Sequence, residues 1–203
     1  MSGETVQAAV DAIRAGRPVI LPTDTVYGLC AWPHRAEPTE RLYLLKGRDP
    51  MQPSALLAAD LDVLLECVPE LRGRAEAIAR ALLPGPFTLV LPNPARRYRW
   101  LTGANQEAIG VRVPVLAGPG ASVLAEVGAV VATSANAPGG PDPARLADVP
   151  EELRSAVAAA LDGGELPGKP STVLDFTGPE PRVVREGAAP AGAAIERVAG
   201  ALA

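Results

Sequence analysis

Apolar stretches too short to make helices recur along this chain, and they constrain its architecture more than any other feature. Residues 19–21, 54–58, 87–91, 109–113 and 129–132 are runs of this kind, and residues 172–176 and 182–185 add two more. A short apolar run bounded by turn residues is the pattern of a buried strand, whereas a helix needs roughly ten residues or more. Between the runs lie segments with helical spacing. Residues 5–15 carry Val6, Val10 and Ile13 and are stopped by Gly16; residues 39–45 place Leu42 and Leu45 on one side. Residues 61–67, 71–83, 120–127 and 151–161 follow, and residues 191–203 form a last helix. Helices and strands alternate, yet several strands follow one another closely. The pattern predicts an α/β chain with α+β character, built on a twisted mixed parallel and antiparallel sheet flanked by helices.

Composition narrows the function. The 203 residues show no internal repeat and no interdomain linker, so a single domain over residues 1–203 is expected. Aromatic residues are only 3%, so Ala, Val and Leu must fill the core. No apolar run approaches the roughly 18 residues of a membrane span. Residues 1–7 lack the basic flank and apolar stretch of a secretory signal, and a cytoplasmic protein with no membrane partner is expected. The net charge of −4 argues against broad electrostatic binding of nucleic acid, although a local basic groove is compatible with it. Cys30 and Cys67 form no Cys-x-x-Cys and are expected as buried free thiols. His34 is the one histidine, which argues against a His-based triad or a multi-histidine metal centre and favours a surface role.

The residues that bear chemistry cluster where apolar runs end. Pro22 stops the first run, and Thr23, Asp24 and Thr25 come next, followed by Val26, Tyr27 and Gly28. Polar residues at the exit of a buried strand are where open α/β sheets place ligands; the same residue types also suit an ordinary turn. Lys46-Gly47-Arg48 sets two cations around a glycine that admits close backbone approach. Lysine offers phosphate a point charge and arginine a two-pronged fork, while the alternative is a solvated basic turn. Thr133-Ser134-Ala135-Asn136 leaves another apolar run and offers hydroxyls and an amide to a polyanion, or caps a turn.

Two further segments invite a reading. Gly163-x-x-x-x-Gly168-Lys169 fits the first seven positions of a P-loop, but Pro170 stands where the magnesium-binding hydroxyl belongs, and the order of helix and strand is reversed, so a P-loop is rejected. Residues 95–100 set Arg96, Arg97 and Arg99 around Tyr98 and before Trp100, a pattern that holds single-stranded nucleic acid or forms a solvated loop. There is no Gly-x-Ser-x-Gly elbow and no pair of carboxylates at catalytic spacing. Separated loops of hydroxyls and cations, without a nucleophile, suit chemistry done by positioning and by neutralising phosphate charge.

Taken in order, these loops resemble the YrdC-like family, the threonylcarbamoyl-AMP synthases, in its short single-domain form. The resemblance covers about residues 4 to 190 and rests on Pro22-Thr23-Asp24-Thr25-Val26-Tyr27-Gly28-Leu29, Lys46-Gly47-Arg48 and Ser134-Ala135-Asn136. Pro84-Gly85-Pro86-Phe87-Thr88, Gly110-Val111-Arg112-Val113-Pro114, Asp162-Gly163-Gly164, Ser171-Thr172-Val173 and Arg185-x-Gly187 fall where the family has similar elements. It implies a concave, positively charged cavity in which ATP, L-threonine and bicarbonate become threonylcarbamoyl-AMP and pyrophosphate. That product goes to the tRNA threonylcarbamoyl transferase machinery. By position, Thr23, Arg112 and Ser171 would hold threonine. Lys46 and Arg48 would act in catalysis and bind ATP together with Thr88, Ser134, Asn136 and Arg185. Magnesium would ride mainly on the ATP phosphates, with no protein metal site. The alternative is a non-catalytic relative that binds tRNA or double-stranded RNA. Asp24 is expected to be structural or to support a binding residue from behind, and Tyr27 to serve packing. The sequence departs from the family pattern at Asp49, at Met51-Gln52-Pro53-Ser54, at Thr133, at Pro138 and at Glu186. It is also too short for the extra C-terminal domain of the longer synthases.

Overall fold

A computed structural model describes residues 3–203. The element order is α1 (Gly3–Arg14), β1 (Val19–Pro22), β2 (Tyr27–Ala31), α2 (Ala36–Lys46), β3 (Ala55–Ala58), α3 (Leu61–Cys67), α4 (Arg74–Leu82), β4 (Phe87–Pro92) and β5 (Ala108–Arg112). It continues with α5 (Gly118–Val127), β6 (Ala129–Ser134), α6 (Glu151–Ala156), β7 (Ala159–Ala160), β8 (Thr172–Asp175), β9 (Arg182–Arg185) and α7 (Ala191–Leu202). The strands form one mixed sheet in the order β7-β1-β2-β6-β3-β5-β4-β8-β9. Three of its pairings, β1 with β7, β3 with β5 and β4 with β8, are parallel. The mixed sheet flanked by helices is the architecture expected from the apolar runs.

Helices cover the two faces of this sheet unequally. On one face α2, α3, α4 and α7 bury Leu42, Leu64, Ile78, Leu82 and Val198 against Ile20, Leu29, Leu89, Ile109, Val111, Val131 and Leu174. On the other face α1 and α5 bury Ala9, Val10, Ile13, Val123 and Val127 against Val19, Leu21, Cys30, Val130 and Ala132. Side chains alternate along a strand, so Val19 and Leu21 go to one core and Ile20 to the other. Burial on both faces is what makes these runs continuously apolar. The second core stops near β3, and among the described residues no helix covers that face of β5, β4, β8 and β9. A concave site opens there.

Two segments differ from the sequence reading. The apolar runs gave no strand over residues 27–31, yet β1 turns back into β2, with Pro22 opposite Tyr27 and Leu21 opposite Gly28. The polar residues form the tip of a hairpin, and the tip is so well tied by side chains that a strand resumes at once. The helix expected over 151–161 ends at Ala156. Ala158 N–H then bonds Pro18 O and Leu161 N–H bonds Ile20 O, so residues 159–160 become β7 beside β1. The open edge of β1 needs partners, and that need outweighs the helix propensity of alanine.

Pro22 is the pivot of the hairpin. A Cβ on Gly120 would collide with the Pro22 carbonyl, and one on Gly163 would lie 2.6 Å from Pro22 Cβ. Glycine at both places lets α5 and the segment after β7 close on the hairpin. Among the described residues no helix is long and apolar enough to cross a membrane.

Candidate active site

A cavity of about 380 Å³ lies on the uncovered face of the sheet. Its wall is drawn from alternate strand residues: Thr88 and Val90 of β4, Gly110 and Arg112 of β5, Val173 and Asp175 of β8. Their neighbours Leu89, Val111 and Leu174 point into the opposite core, so one periodicity builds both core and site. The cavity brings together seven residues expected from the sequence: Thr23, Arg48, Thr88, Arg112, Ser134, Ser171 and Arg185. Lys46 and Asn136 do not line it and stand behind Ser134.

The hairpin tip is organised by one hydroxyl. Thr23 Oγ1 donates to Val26 O at 2.6 Å and accepts from the N–H groups of Thr25 and Val26, each at 3.2 Å. Its single proton is thereby used, so Thr25 Oγ1, at 3.1 Å, donates to it. Thr25 Oγ1 in turn accepts from Arg112 Nη2 at 2.8 Å. Arg112 Nη2 also pairs with Asp24 Oδ1, and Asp24 Oδ2 accepts from Val115 N–H at 3.0 Å. Both charged side chains are nearly sequestered, 8% exposed for Arg112 and 10% for Asp24. Burial pushes the Arg112 guanidinium down and the Asp24 charge opposes that shift. Asp24 is therefore the counter-ion that fixes Arg112 at the cavity wall.

A second group surrounds Lys46. Helix α2 ends at Gly47, whose left-handed φ of 62° breaks the helix right after Lys46 and turns Arg48 toward the cavity. Lys46 Nζ donates to the Ser134 carbonyl, to Asn136 Oδ1 at 2.7 Å and weakly to Ser134 Oγ at 3.4 Å. Ser134 Oγ donates to the same Asn136 oxygen at 2.7 Å, and Asn136 Nδ2 donates to Gly140 O at 2.6 Å. Lys46 is buried, and its pKa falls to about 8, mainly through desolvation, with Arg48 adding repulsion and Asp142 opposing both. Arg48 reaches Pro53 O at 2.6 Å and Thr133 Oγ1 at 3.4 Å. The atypical Thr133 is thus a partner of Arg48. Asp49, another departure, accepts from Met51 N–H at 2.9 Å and serves its own turn.

The third group joins β4, the residue before β8 and the end of β9. Thr88 Oγ1 and Ser171 Oγ are 2.8 Å apart, and Arg185 donates to Ser171 O at 2.8 and 3.2 Å. Glu186 faces away and accepts from Ala191 N–H at 2.9 Å at the start of α7. Tyr27 does more than pack. Its hydroxyl lies 2.9 Å from Asp162 Oδ1 and 2.8 Å from Gly164 O, and it accepts from Gly163 N–H at 2.9 Å. The Asp162-Gly163-Gly164 element is thus a clasp on β2. Sequence reasoning missed Asp142, Asp175 and Arg182 on the cavity wall. The spacing of Asp175 from Ser171 and Val173, two residues at a time along β8, was the available signal for it.

The segment of residues 95–100 stands apart. With His34 it lines a separate surface hollow. Arg96 pairs with Glu107 and Arg97 with Glu70, and the Tyr98 ring packs edge-on against Trp100 and lies 5.8 Å from His34. His34 is exposed, as expected. Cys30 is buried and its thiol is pushed up to about 12 by desolvation; Cys67 is half-buried, and neither is in a disulfide.

The family model for Sua5, YciO and YrdC, described as "Telomere recombination", matches residues 11–187. The chain belongs to the Sua5/YciO/YrdC family. It is 35% identical over 198 residues to the threonylcarbamoyl-AMP synthase of Pyrococcus abyssi, an alignment covering 96% of this chain and 57% of that protein. It is 33% identical over 196 residues to the threonylcarbamoyl-AMP synthase of Pseudomonas syringae, covering 92% of this chain and all of the relative. The crystal structure of P. abyssi Sua5 complexed with L-threonine superposes with a TM-score of 0.88 at 32% identity, over 98% of this chain and 58% of that one. Escherichia coli YciO superposes with a TM-score of 0.79 at 26% identity, over 93% and 92% of the two chains. The chain thus spans little more than half the length of the archaeal relative.

Proposed function

We propose that this Sua5/YciO/YrdC protein is a threonylcarbamoyl-AMP synthase, with residues 1–203 acting as one cytoplasmic domain. The observation that carries the reading is the convergence, in one cavity, of the hydroxyl–arginine group Thr23, Arg112 and Ser171 with the phosphate-type donors Arg48, Thr88, Ser134 and Arg185. Relatives named for this activity align over almost the whole chain.

The chemistry asks little covalent work of the protein. The amine of L-threonine adds to bicarbonate with loss of water and gives a carbamate. A carbamate oxygen then bonds the α-phosphorus of ATP, the bond to the β-phosphate oxygen breaks, and pyrophosphate leaves with that electron pair. The nucleophile comes from substrate, so the protein needs to bind, orient and neutralise. Arg112, fixed by Asp24, offers a rigid guanidinium to the threonine carboxylate, and Thr23 and Ser171 flank it. Arg48 and Ser134 face the phosphates, and Lys46 braces Ser134 and Asn136 from behind. For Lys46 to touch phosphate it must exchange one of its three acceptors for a phosphate oxygen.

Magnesium fits this cavity only in part. No cluster of three metal-ligating side chains occurs among the described residues, and Asp175 is engaged by Arg182 and Thr177. Asp142, on the wall near Lys46, is the carboxylate that would share a magnesium ion held mainly by the nucleotide. Such an ion would supply charge neutralisation to the leaving pyrophosphate. The product would be passed to tRNA threonylcarbamoyl transferase machinery.

The test is release of pyrophosphate from magnesium–ATP by the folded protein. Release is expected only with both L-threonine and bicarbonate present. Release without threonine, or none with all substrates, would overturn the assignment.

A further inference from the structure

Strand β9 carries a cation that the family signature does not include. Arg182 and Arg185 are three residues apart, a spacing that places side chains on opposite faces of a regular strand. Here the ladder slips: Arg185 pairs with Val173, Val183 with Leu174 and Arg182 with Asp175, leaving Val184 as an extra residue. Such a bulge re-aims the side chains beyond it, and both arginines consequently reach the cavity wall. Arg182 uses one nitrogen, Nη2, on Asp175 Oδ2, and its side chain is 75% exposed. Asp175 keeps other support, since its Oδ1 accepts from Thr177 N–H at 2.9 Å and from Thr177 Oγ1 at 2.6 Å. Arg185 directs Nε and Nη2 at Ser171 and likewise has Nη1 to spare. Arg185 also lies close enough to Arg112 to repel it. Arg112, Arg182 and Arg185 therefore line one cavity, no aromatic ring among the described residues lines it, and the carboxylate that holds Arg182 has hydroxyl and amide donors to fall back on.

We propose that Arg182 is a polyphosphate-binding residue that joins Arg185 at the β9 end of the cavity, turning from Asp175 to the terminal phosphates of the nucleotide. Forked donors in a row match adjacent phosphates, whereas a nucleoside carries no anionic group to draw them from Asp175. Naming the anion as the nucleotide's phosphate end rests on the synthase reading. The anion site itself does not, so the test uses binding rather than turnover.

The experiment is titration calorimetry with inorganic tripolyphosphate, with AMP and with L-threonine as separate ligands. Arg182→Ala is expected to weaken tripolyphosphate about five- to tenfold, modest for a charge-assisted contact because the side chain is exposed, and to leave AMP and threonine within about twofold. Arg182→Lys is expected to recover part of the loss, keeping the charge without the fork. Arg182→Ala leaves Asp175 short of a partner, so the double variant Asp175→Asn/Arg182→Ala, which removes both charges, carries the same test if the single variant folds poorly. Unchanged tripolyphosphate binding, equal weakening of all three ligands, or no tripolyphosphate binding by the parent protein would each overturn the proposal. Loss confined to threonine would assign Arg182 to the amino acid instead and would overturn it too. Because the probe is inorganic, absence of threonine-dependent turnover would leave this result standing.

Discussion

Substitution of Asp24 by Asn tests the architecture of the threonine-side wall most directly. The change keeps the shape of the side chain and removes the charge that answers Arg112, whose side chain is 8% exposed. Two unit charges about 4 Å apart attract by about 4 kcal/mol at an effective dielectric constant of about 20. Breaking one side of a buried pair costs about 3–5 kcal/mol, because the remaining charge stays desolvated. Arg112 also faces the cavity, where water can reach it, so the lower end applies. A loss of about 3 kcal/mol in a chain of this size lowers the melting temperature by about 6–12 °C. Thermal unfolding followed by circular dichroism measures it. Saturating L-threonine should restore part of the loss, since its carboxylate offers Arg112 a replacement anion. The companion Arg112→Met and the double variant complete a cycle in which the double should cost less than the summed singles by more than about 1.5 kcal/mol. Additive singles, or Asp24→Asn melting within about 2 °C of the parent, would refute the idea that this pair is a coupled, desolvated unit.

Lys46 and Tyr27 offer independent checks. With its pKa brought to about 8 by burial, Lys46 loses its charge as pH rises through that value, so kcat/KM for ATP should fall on a basic limb near pH 8 that Lys46→Arg abolishes and Asp142→Asn moves lower. The stability sign is opposite: between about 8 and 10.5 the unfolded chain holds the proton that the folded chain has released, so this residue's contribution rises with pH. A limb unmoved by either substitution would exclude Lys46 as its source. Tyr27→Phe removes the clasp on Asp162, Gly163 and Gly164, and should cost about 1–2 kcal/mol and speed hydrogen exchange at the Gly163 and Gly164 amides. Unaltered protection at those two amides would show that the clasp does not hold the segment.

The sequence by itself determined much of this protein. Short apolar runs with turn residues between them require a sheet of buried strands, and the alternation in residues 87–91 and 109–113 separates Leu89, Ile109 and Val111 from Thr88 and Arg112. The order of the polar loops was enough to resemble one family, because each loop sits at the end of a strand or helix, where small or polar residues take over from the apolar run. What the sequence did not show depends on partners distant along the chain. Asp24 looks like one more turn residue until Arg112, 88 positions away, closes on it. Tyr27 looks like core packing until residues 162–164 fold back onto its hydroxyl. Residues 151–161 form an alanine-rich helix by propensity, yet the unpaired edge of β1 takes residues 159–160 as a strand. Arg182 lies out of phase with Arg185 in any sequence pattern, and only the bulge against β8 brings both to one cavity. Periodicity is a local property and was legible; ion pairs, edge pairing and strand register are settled by long-range contact, and those belong to the tertiary structure.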